Sequence, residues 1–205
     1  MPITVTKTAK GREAERKFSI IALNRPWNLF ITKGEGRWID RVHKVRAPIT
    51  TYQDFWSTLY RTTPVSKMTT GEDYYFFRQG SMPLWEHHSN RGGGRLIVWL
   101  WPSLPNYYFD HCWMKVQLAL IGEQFFYDSD KVNGAAACRR TWRNKVCLWV
   151  NSNADEQAIA RMKRILMRIF YVPEDHVKYE SHRQSATRCR EADRFLEPLK
   201  DEQKN

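Results

Sequence analysis

The sequence predicts an α+β fold with one largely antiparallel sheet in a single domain. A chain of 205 residues can bury most of its apolar surface around one core. Its composition, 42% hydrophobic with only 10 glycines and 9 prolines, is typical of a globular protein. Segments with strand character alternate along the chain with a few segments of helical period, and no fixed-period repeat interrupts them.

Six segments have strand character. Residues 18–31 are rich in β-forming side chains and contain Pro26, which favours a strand, a kink and a second strand. After a Gly-rich turn, residues 37–45 alternate well enough for a further strand. Strand character returns in four later segments: 74–80, 95–101, 134–142 and 145–151. A short basic turn joins the last two, which predicts a β-hairpin.

Three segments have a helical period. Thr51 and Asp54 resemble a capping box, which predicts a short helix directly after them. Residues 110–122, DHCWMKVQLALIG, predict a second helix that ends at the glycine. The third helix is expected to begin after a cap at Asn153 and to end before Pro173.

The charge of the chain makes an anionic partner the first expectation. The formal net charge is +11 and the pI is near 9.6, and summed positive charge attracts phosphates and acidic surfaces. Charge alone leaves RNA and a membrane surface open. The sequence contains no run of about 18 apolar residues, so it predicts no membrane span, and the N-terminus lacks the apolar core of a signal peptide. We therefore expect a cytoplasmic or nuclear protein without membrane association.

Metal, disulfide and cofactor chemistry have little support in the sequence. The four cysteines are scattered without a C-x-x-C pair, which favours reduced thiols: Cys112, Cys138, Cys147 and Cys189. His87 and His88 would point apart in a strand, and no second set of ligands accompanies them. The RGGGR segment at 91–95 lacks the GK[ST] of a P-loop. No metal and no cofactor are expected.

The nine tryptophans are the most unusual feature of the composition. Trp99, Trp113 and Trp149 lie inside apolar periodic segments, where burial explains them. Trp38 and Trp85 instead follow turns marked by glycine or proline, where a large flat ring is expected to be partly exposed. For this pair, stacking on a planar ligand and ordinary packing are equally good explanations.

Glu86 directly follows Trp85 in the sequence. A carboxylate only accepts hydrogen bonds, so beside a stacked base it would accept from guanine N1–H and N2–H₂ and would select guanine over adenine. Stacking contributes roughly 1–3 kcal/mol per base, and a cationic base adds on the order of 0.5–2 kcal/mol. For an isolated Trp-Glu pair, however, a solvated surface carboxylate is the ordinary explanation.

Four cations crowd the predicted hairpin: Arg139, Arg140, Arg143 and Lys145. An exposed charged turn is the usual explanation of such a run. Together with aromatic rings elsewhere, the cluster indicates a stacking platform beside a phosphate clamp. This combination holds the ends of single-stranded nucleic acids.

Five segments in order resemble the mRNA cap-binding translation initiation factor 4E family. They are TYQDFWSTLY, PLWEHHSNRGGGR, WMKVQLALIGE, NGAAACRRTWRNKVCLW and YESHRQSAT. The resemblance implies a strongly curved, mostly antiparallel sheet of about eight strands, with three helices on its convex face, a cap slot on its concave face and no catalytic centre. It implies one cap-binding domain at 18–188, between a flexible segment at 1–17 and a flexible polar tail at 189–205.

The resemblance also assigns the residues that bind the cap base. Trp38 and Trp85 correspond to the two rings that sandwich N7-methylguanine, and Glu86 to the carboxylate that reads its Watson–Crick edge. Methylation at N7 makes the base cationic, which strengthens both the stacking and the hydrogen bonds to Glu86. Trp149 corresponds to the tryptophan near the methyl group.

Further residues are implied to bind the RNA chain. Arg140 and Lys145 resemble the ligands of the triphosphate, with Arg143 and Arg95 as secondary contributors. Trp142 stands where a phosphate-contacting lysine is frequent, and a stack on a nucleotide downstream of the cap is a hypothesis for it. The C-terminal loop of the family approaches the first transcribed nucleotides, which suggests contacts from Ser185, Arg188 and Arg190.

On the convex side, the resemblance implies a surface for a protein partner. Trp56 corresponds to the tryptophan that receives the helical motif of the scaffold initiation factor or of a repressor, with Tyr52, Leu118 and Gly122 beside it. An amphipathic helix laid on an apolar surface is a recurrent mode of recognition. Tyr52 and Lys115 stand where a valine and an acidic residue are common in the family, which leaves the choice of partner open.

We therefore expect a non-enzymatic cap-binding protein of the cytoplasm, with the nucleus as a further location, that is monomeric on its own. Two alternatives stay open: a competitor that binds caps without recruiting the scaffold, and a hydrolase that uses Glu86 with His87 or His88 on a nucleotide anhydride. A reader of methylated lysine is a third, but it would have no use for the basic hairpin. Leu96 replaces a tryptophan that often follows the Gly-Gly-Arg run, which suggests a different phosphate grip.

Overall fold

The structure of the protein, a computed structural model, describes residues 19–34, 36–101 and 103–187. Its strands are β1 (Ala22–Thr32), β2 (Val42–Lys44), β3 (Ile49–Thr51), β4 (Asp73–Arg78), β5 (Gly94–Trp99), β6 (Val132–Cys138), β7 (Lys145–Val150) and β8 (Val177–Ser181). Its helices are α1 (Trp38–Arg41), α2 (Tyr52–Arg61), α3 (Asn106–Ile121) and α4 (Glu156–Phe170). The segments 1–17 and 189–205, expected to be flexible, lie outside the described residues.

All strand pairs of the sheet are antiparallel. The order across the sheet is β2-β1-β4-β6-β7-β5-β8, and β3 pairs with the other part of β1. The sheet is curved, and the three long helices cover one of its faces. The predicted fold class is confirmed, as is the predicted hairpin, which is formed by β6 and β7.

Side chains of each strand alternate between the two faces of the sheet. In β7, Val146, Leu148 and Val150 join the large core beneath α2, α3 and α4, which we call the convex core. Cys147 and Trp149 of the same strand join a smaller cluster on the opposite face. The period of two residues therefore divides one strand between the convex core and a smaller cluster on the opposite face.

Local signals begin and end the long helices. The capping box before α2 is present, because the Thr51 side chain accepts from the Asp54 N–H at 3.0 Å and Asp54 accepts from the Thr51 N–H at 3.0 Å. The hydrogen bond from Thr51 also lowers the pKa of Asp54. Helix α3 ends at Gly122, as predicted. The cap of α4 is Asp155, whose carboxylate accepts from Ala158 N–H at 2.7 Å, and not Asn153.

Two predictions for the N-terminal half need correction. Residues 37–45 do not form one strand, because Trp38–Arg41 is a helical turn and only Val42–Lys44 is extended. An ion pair of 2.9 Å between Arg37 and Asp40 accompanies this turn. The kink expected at Pro26 is instead a shift of register in the pairing of β1 with β3, between Ala22 and Trp27.

Two glycines of the RGGGR segment are required by close approach of neighbouring strands. A Cβ on Gly93 would lie 2.1 Å from the carbonyl oxygen of Val150, and one on Gly94 would lie 2.5 Å from the hydroxyl of Tyr179. Either contact would force backbone or a strand side chain to move. These two glycines therefore serve strand packing, in agreement with the absence of a P-loop motif.

The part of the chain that the structure describes contains no helix long and apolar enough to cross a membrane. Within the same residues, no group of three or more His, Cys, Asp or Glu side chains is placed to hold a metal ion. Cys112, Cys138 and Cys147 are buried free thiols, whereas Cys189 lies outside the described residues.

Candidate nucleic-acid interface

The concave face of the sheet carries a small aromatic cluster, which we call the concave cluster. Its buried members are Phe30, Tyr75, Phe77, Ile97, Ala136, Cys138, Cys147 and Trp149. Four partly buried side chains pack against them: Trp38, Val42, Trp85 and Trp99. The fold therefore brings together the three tryptophans assigned to the base, although they come from α1, from the loop after β4 and from β7.

Trp38 is held at the edge of the concave cluster by Tyr75. The two rings meet edge to face, with centroids 5.6 Å apart. The Tyr75 hydroxyl donates to Asp73 at 3.0 Å. Burial, and then the charge of Asp73, raise the pKa of Tyr75 well above its ordinary value, so the phenol stays protonated. Trp38 thus packs against a phenol ring that a buried hydrogen bond to Asp73 holds in place.

Trp85 lies in a loop that a buried asparagine holds in shape. Asn90 is fully buried, and its amide nitrogen donates to the carbonyls of Met82 and Leu84, both at 2.7 Å. Its amide oxygen accepts from Asn133 at 2.8 Å, which ties the loop to β6. Since buried polar groups are costly unless paired, these bonds tie the backbone that precedes Trp85 to Asn90, which follows it.

The Glu86 side chain is exposed beside half-buried Trp85, and none of the described residues pairs with its carboxylate. It is therefore free to accept hydrogen bonds from a ligand. His87 and His88 do not point apart as expected, because they lie in a turn and not in a strand, and their rings stack 4.1 Å apart.

Trp149 forms the floor of the concave cluster and not a wall. Its side chain is 3% exposed, and it meets the edges of Tyr75 and Phe77. His182 lies 4.4 Å away between ring centroids, and burial, then the charge of Arg95, lower the pKa of this histidine to about 4. His182 is therefore neutral at physiological pH, and the floor of the cluster carries no imidazolium.

Two of the four predicted phosphate ligands are held by carboxylates. Arg140 binds buried Asp73 with both terminal nitrogens, at 2.6 and 3.1 Å. Burial lowers the pKa of Arg140, but the hydrogen bonds and the charge of Asp73 outweigh burial and raise it. Arg95 is largely buried and lies 3.6 Å from Glu180. Both guanidinium charges are therefore partly compensated within the protein.

The other two predicted phosphate ligands remain uncompensated. Within the described residues, neither Lys145 nor Arg143 forms an ion pair with a carboxylate. The Lys145 ammonium lies 5.3 Å from the ring centroid of Trp99. The Arg143 guanidinium lies 5.8 Å from Trp99 and 5.2 Å from Trp101. The aromatic rings leave these charges available to a phosphate.

The residues assigned to downstream nucleotides have different surroundings. Trp142, at the tip of the β6–β7 hairpin, is 87% exposed. Ser185 is instead buried, and its hydroxyl is hydrogen-bonded to Glu180, so the expected contact with RNA needs correction for this residue. Arg188 and Arg190 lie outside the described residues.

The predicted partner surface lies on the opposite side of the molecule. Trp56 of α2 is 37% exposed, and its ring lies 6.1 Å from that of exposed Tyr60. Tyr52 and Leu118 are half-buried against the convex core, and Gly122 is exposed at the end of α3. These residues leave an apolar surface on the helices.

The structure shows the contacts of two residues that depart from the family pattern, Lys115 and Leu96. Lys115 donates to the Ile169 carbonyl at 3.2 Å and lies 4.6 Å from the ring centroid of Tyr171, so it ties α3 to the end of α4. Leu96 is fully buried in the convex core, on the face of β5 opposite Arg95. The replacement at Leu96 therefore concerns packing, and its expected effect on the phosphate grip needs correction.

Sequence reasoning missed four residues that position the site: Asp73, Tyr75, Asn90 and Asn133. Each acts through a contact between segments distant in sequence, so the residues next to it in the chain do not indicate its role. Asp73 alone left a signal, because a carboxylate at the start of the apolar run YYFF predicts a buried cation as its partner.

The fold and the site define a class of proteins that carry an aromatic cluster, beside exposed cations, on the concave face of a curved antiparallel sheet. A family model described as "Eukaryotic initiation factor 4E" matches residues 22–194. The chain therefore belongs to the eukaryotic initiation factor 4E family. Members of this family are cap-binding factors and not enzymes, so the hydrolase alternative is not favoured.

Individual relatives agree with this membership. Human translation initiation factor 4E type 1B is 30% identical over 185 residues, which are 89% of this chain and 76% of the relative. A structure of Caenorhabditis elegans eIF4E-3 with the 4E-binding protein Mextli and a cap analog is 28% identical, with a TM-score of 0.77 over 82% of this chain and 96% of that one. A structure of Ascaris suum eIF4E-3 with an m2,2,7G cap is 31% identical, with a TM-score of 0.76 over 80% and 92%.

Proposed function

We propose that this protein binds the N7-methylguanosine cap at the 5′ end of mRNA and takes part in translation initiation through a partner with a short helical motif. The observation that carries the proposal is the meeting of Trp38, Trp85 and the unpaired Glu86 carboxylate at the concave cluster. Family membership and the complexes of the two nematode relatives support it. Translation initiation makes the cytoplasm the expected location.

The base is held by stacking and by its hydrogen-bonding edge. Trp38 and Trp85 sandwich the ring, Trp149 lies near the methyl group, and Glu86 accepts from N1–H and N2–H₂. The positive charge of N7-methylguanine strengthens both interactions, because an indole face and a carboxylate each attract a cation. The ring contact of Trp38 with Tyr75, whose hydroxyl donates to buried Asp73, keeps one ring in place before the ligand arrives.

The phosphates are held mainly by the uncompensated cations. Lys145 and Arg143 carry most of the attraction, while Arg140 and Arg95 contribute what their carboxylate partners leave available. Substituting Lys145 or Arg143 by alanine lowers the salt dependence of binding, because each phosphate contact releases counterions when it forms. A smaller change is expected for Arg140→Ala, whose charge Asp73 already offsets.

The convex face recruits the protein partner. Trp56, with Tyr52, Leu118 and Gly122, receives the apolar side of an amphipathic helix. Trp56 is exposed in the free protein, as a central binding residue must be. This accessible surface favours a partner-recruiting factor over a competitor that binds caps alone, and a pull-down with wild type and Trp56→Ala tests it.

Tryptophan-quenching titrations with N7-methyl-GTP and with GTP test the cap assignment. Wild type is expected to bind the methylated nucleotide about fivefold to thirtyfold more tightly, since the cationic base adds on the order of 1–2 kcal/mol. Trp38→Ala and Trp85→Ala each lose this preference. Trp56→Ala is the matched control, because it removes an indole from the convex face and keeps the preference. Equal affinity of wild type for the two nucleotides would contradict the proposal.

A further inference from the structure

A second cleft lies outside the concave cluster, where the turn of the β6–β7 hairpin meets the loop between β5 and α3. Its volume is about 270 Å³, just below the range of about 300–1,000 Å³ typical of sites for drug-sized ligands. Its walls include Trp101, Trp142, Arg139 and Arg143. None of the described residues that line it is Asp or Glu. We call it the turn cleft.

The two indole rings of the turn cleft are open to solvent. Trp142 is 87% exposed and Trp101 is 49% exposed. The ring of Trp101 rests on His176, with centroids 4.5 Å apart, so one face is packed and the ring is fixed. The two rings line the same cleft, and exposed apolar side chains that are grouped in this way mark an interaction site more often than a single ring does. Trp142 is therefore available for a planar ligand, whereas Trp101 offers only the part of its ring that His176 and the Arg143 guanidinium, 5.2 Å from its centroid, leave exposed.

Two of the three described cations that line the turn cleft are not neutralised, whereas the third, Arg140, is paired with Asp73. Arg139 and Arg143 pair with no carboxylate among the residues that the structure describes. The buried Nε atoms of both also lack a hydrogen-bond acceptor there. Aromatic rings beside unpaired guanidinium groups suit a ligand that is both planar and anionic, as a nucleotide is.

A row of alternating cations and rings joins the turn cleft to the concave face. Lys145 lies over Trp99, and Arg143 lies between Trp99 and Trp101, at distances of 5.2 to 5.8 Å. Trp99 belongs to the concave cluster, whereas Trp101 belongs to the turn cleft. A polyanion bound at Lys145 can therefore continue along this row without crossing a negative residue.

We infer that the turn cleft is a second RNA-binding site, which holds a base and a phosphate of the single strand downstream of the cap. The inference rests on the proposed cap binding for the polarity of the RNA, although the cleft itself needs no cap. Burial of Ser185 supports this path, because it removes the C-terminal hydroxyl expected to contact the same nucleotides. An acidic peptide would satisfy the arginines but would leave the two indole faces unused.

Affinities for N7-methyl-GTP, for a short capped oligoribonucleotide and for the same oligoribonucleotide without a cap test the inference. The capped oligoribonucleotide is expected to bind wild type about fivefold to a hundredfold more tightly than the nucleotide, as one stacked base provides. Trp101→Ala and Trp142→Ala remove most of this advantage and leave the affinity for N7-methyl-GTP unchanged. Tyr127→Ala, which removes an exposed ring outside the cleft, is the control and retains the advantage. Unchanged thermal midpoints show that the variants are folded.

Each other result contradicts the inference. An advantage that persists in both tryptophan variants places the downstream RNA elsewhere, and the lack of any advantage in wild type means that no second site exists. Loss of N7-methyl-GTP affinity in Trp142→Ala would assign that ring to the cap itself. Binding of polyglutamate without binding of the uncapped RNA would make the cleft a peptide site. Failure of wild type to bind N7-methyl-GTP overturns cap binding instead, and the uncapped RNA still tests the cleft.

Discussion

The two faces of the sheet differ in how completely packing within the protein covers their aromatic rings. On the convex face, Trp27 stacks on Phe76 with centroids 4.9 Å apart, and both rings are buried. On the concave face, Trp38 meets Tyr75 only by its edge, and Trp85 is half-buried. Packing covers the rings of Trp27 and Phe76 and leaves part of the rings of Trp38 and Trp85 uncovered. The same residue type stabilises the fold on one face and is available for a ligand on the other.

The difference follows from the two-residue period of the strands. A shift of one residue in β7 would turn Trp149 into the convex core and Leu148 onto the concave face. The large convex core, pinned by three helices, prevents such a shift and thereby fixes the concave residues. Stability and function are therefore separable by face, and substitutions on each face should affect different measurements.

The largest expected effect comes from the convex core. Phe76→Ala removes a fully buried ring that packs against Trp27 and Phe55, and a cavity of this kind costs about 3–5 kcal/mol. Urea unfolding should show this loss of stability. N7-methyl-GTP should still bind the folded fraction with wild-type affinity. A folded variant with weakened cap binding would break the separation between the faces.

Acidification is expected to lower the free energy of unfolding by about 3 kcal/mol through His182. Above pH 6.5 this histidine is neutral in the folded and the unfolded chain, so its contribution does not vary there. As the pH falls from 6.5 towards 4, the unfolded chain takes up a proton that the buried ring does not accept. The free energy of unfolding therefore falls over this interval, by up to about 3 kcal/mol.

Urea unfolding of wild type and of His182→Gln at pH 4.5 and pH 7.5 measures this contribution. The loss of stability on acidification should be smaller in the variant, because glutamine does not titrate. An equal loss in both proteins would show that His182 is not the group responsible.

Glu86→Gln should weaken binding of N7-methyl-GTP by about 2 kcal/mol, or roughly thirtyfold, because one charged acceptor becomes an amide. Stability should change by less than about 0.5 kcal/mol, since Glu86 is exposed and unpaired among the described residues. Titration together with urea unfolding checks both statements. A large loss of stability would mean that Glu86 has a structural role.

The smallest effect is expected from Tyr75→Phe, which removes the hydroxyl that fixes the ring beneath Trp38 to Asp73. Cap affinity should fall by about 1 kcal/mol, roughly fivefold, because Trp38 loses its orientation and Asp73 loses a donor. Trp38→Ala should abolish this effect, so that Trp38→Ala and the double variant bind equally. Additive losses in the double variant would show that Tyr75 acts independently of Trp38.

Elements with local signals were predictable from the sequence, and contacts between distant segments were not. The capping box at Thr51, the glycine end of α3 and the β6–β7 hairpin each depend on neighbouring residues. The bidentate pair of Asp73 with Arg140 spans 67 positions, and the bond between Asn90 and Asn133 spans 43. These contacts exist only after the sheet has formed, which is why the sequence does not indicate that Arg140 is paired with Asp73.

The separation of the two faces can be tested most directly with the indole N–H resonances of the tryptophans, assigned by substitution and followed by NMR during titration with N7-methyl-GTP. The largest shifts should occur at Trp38 and Trp85, with smaller shifts at Trp149 and Trp99. Trp56, Trp27 and Trp113, on the convex side, should remain unchanged. Shifts centred on Trp56, or spread equally over both groups, would contradict the assignment of the concave face to the cap.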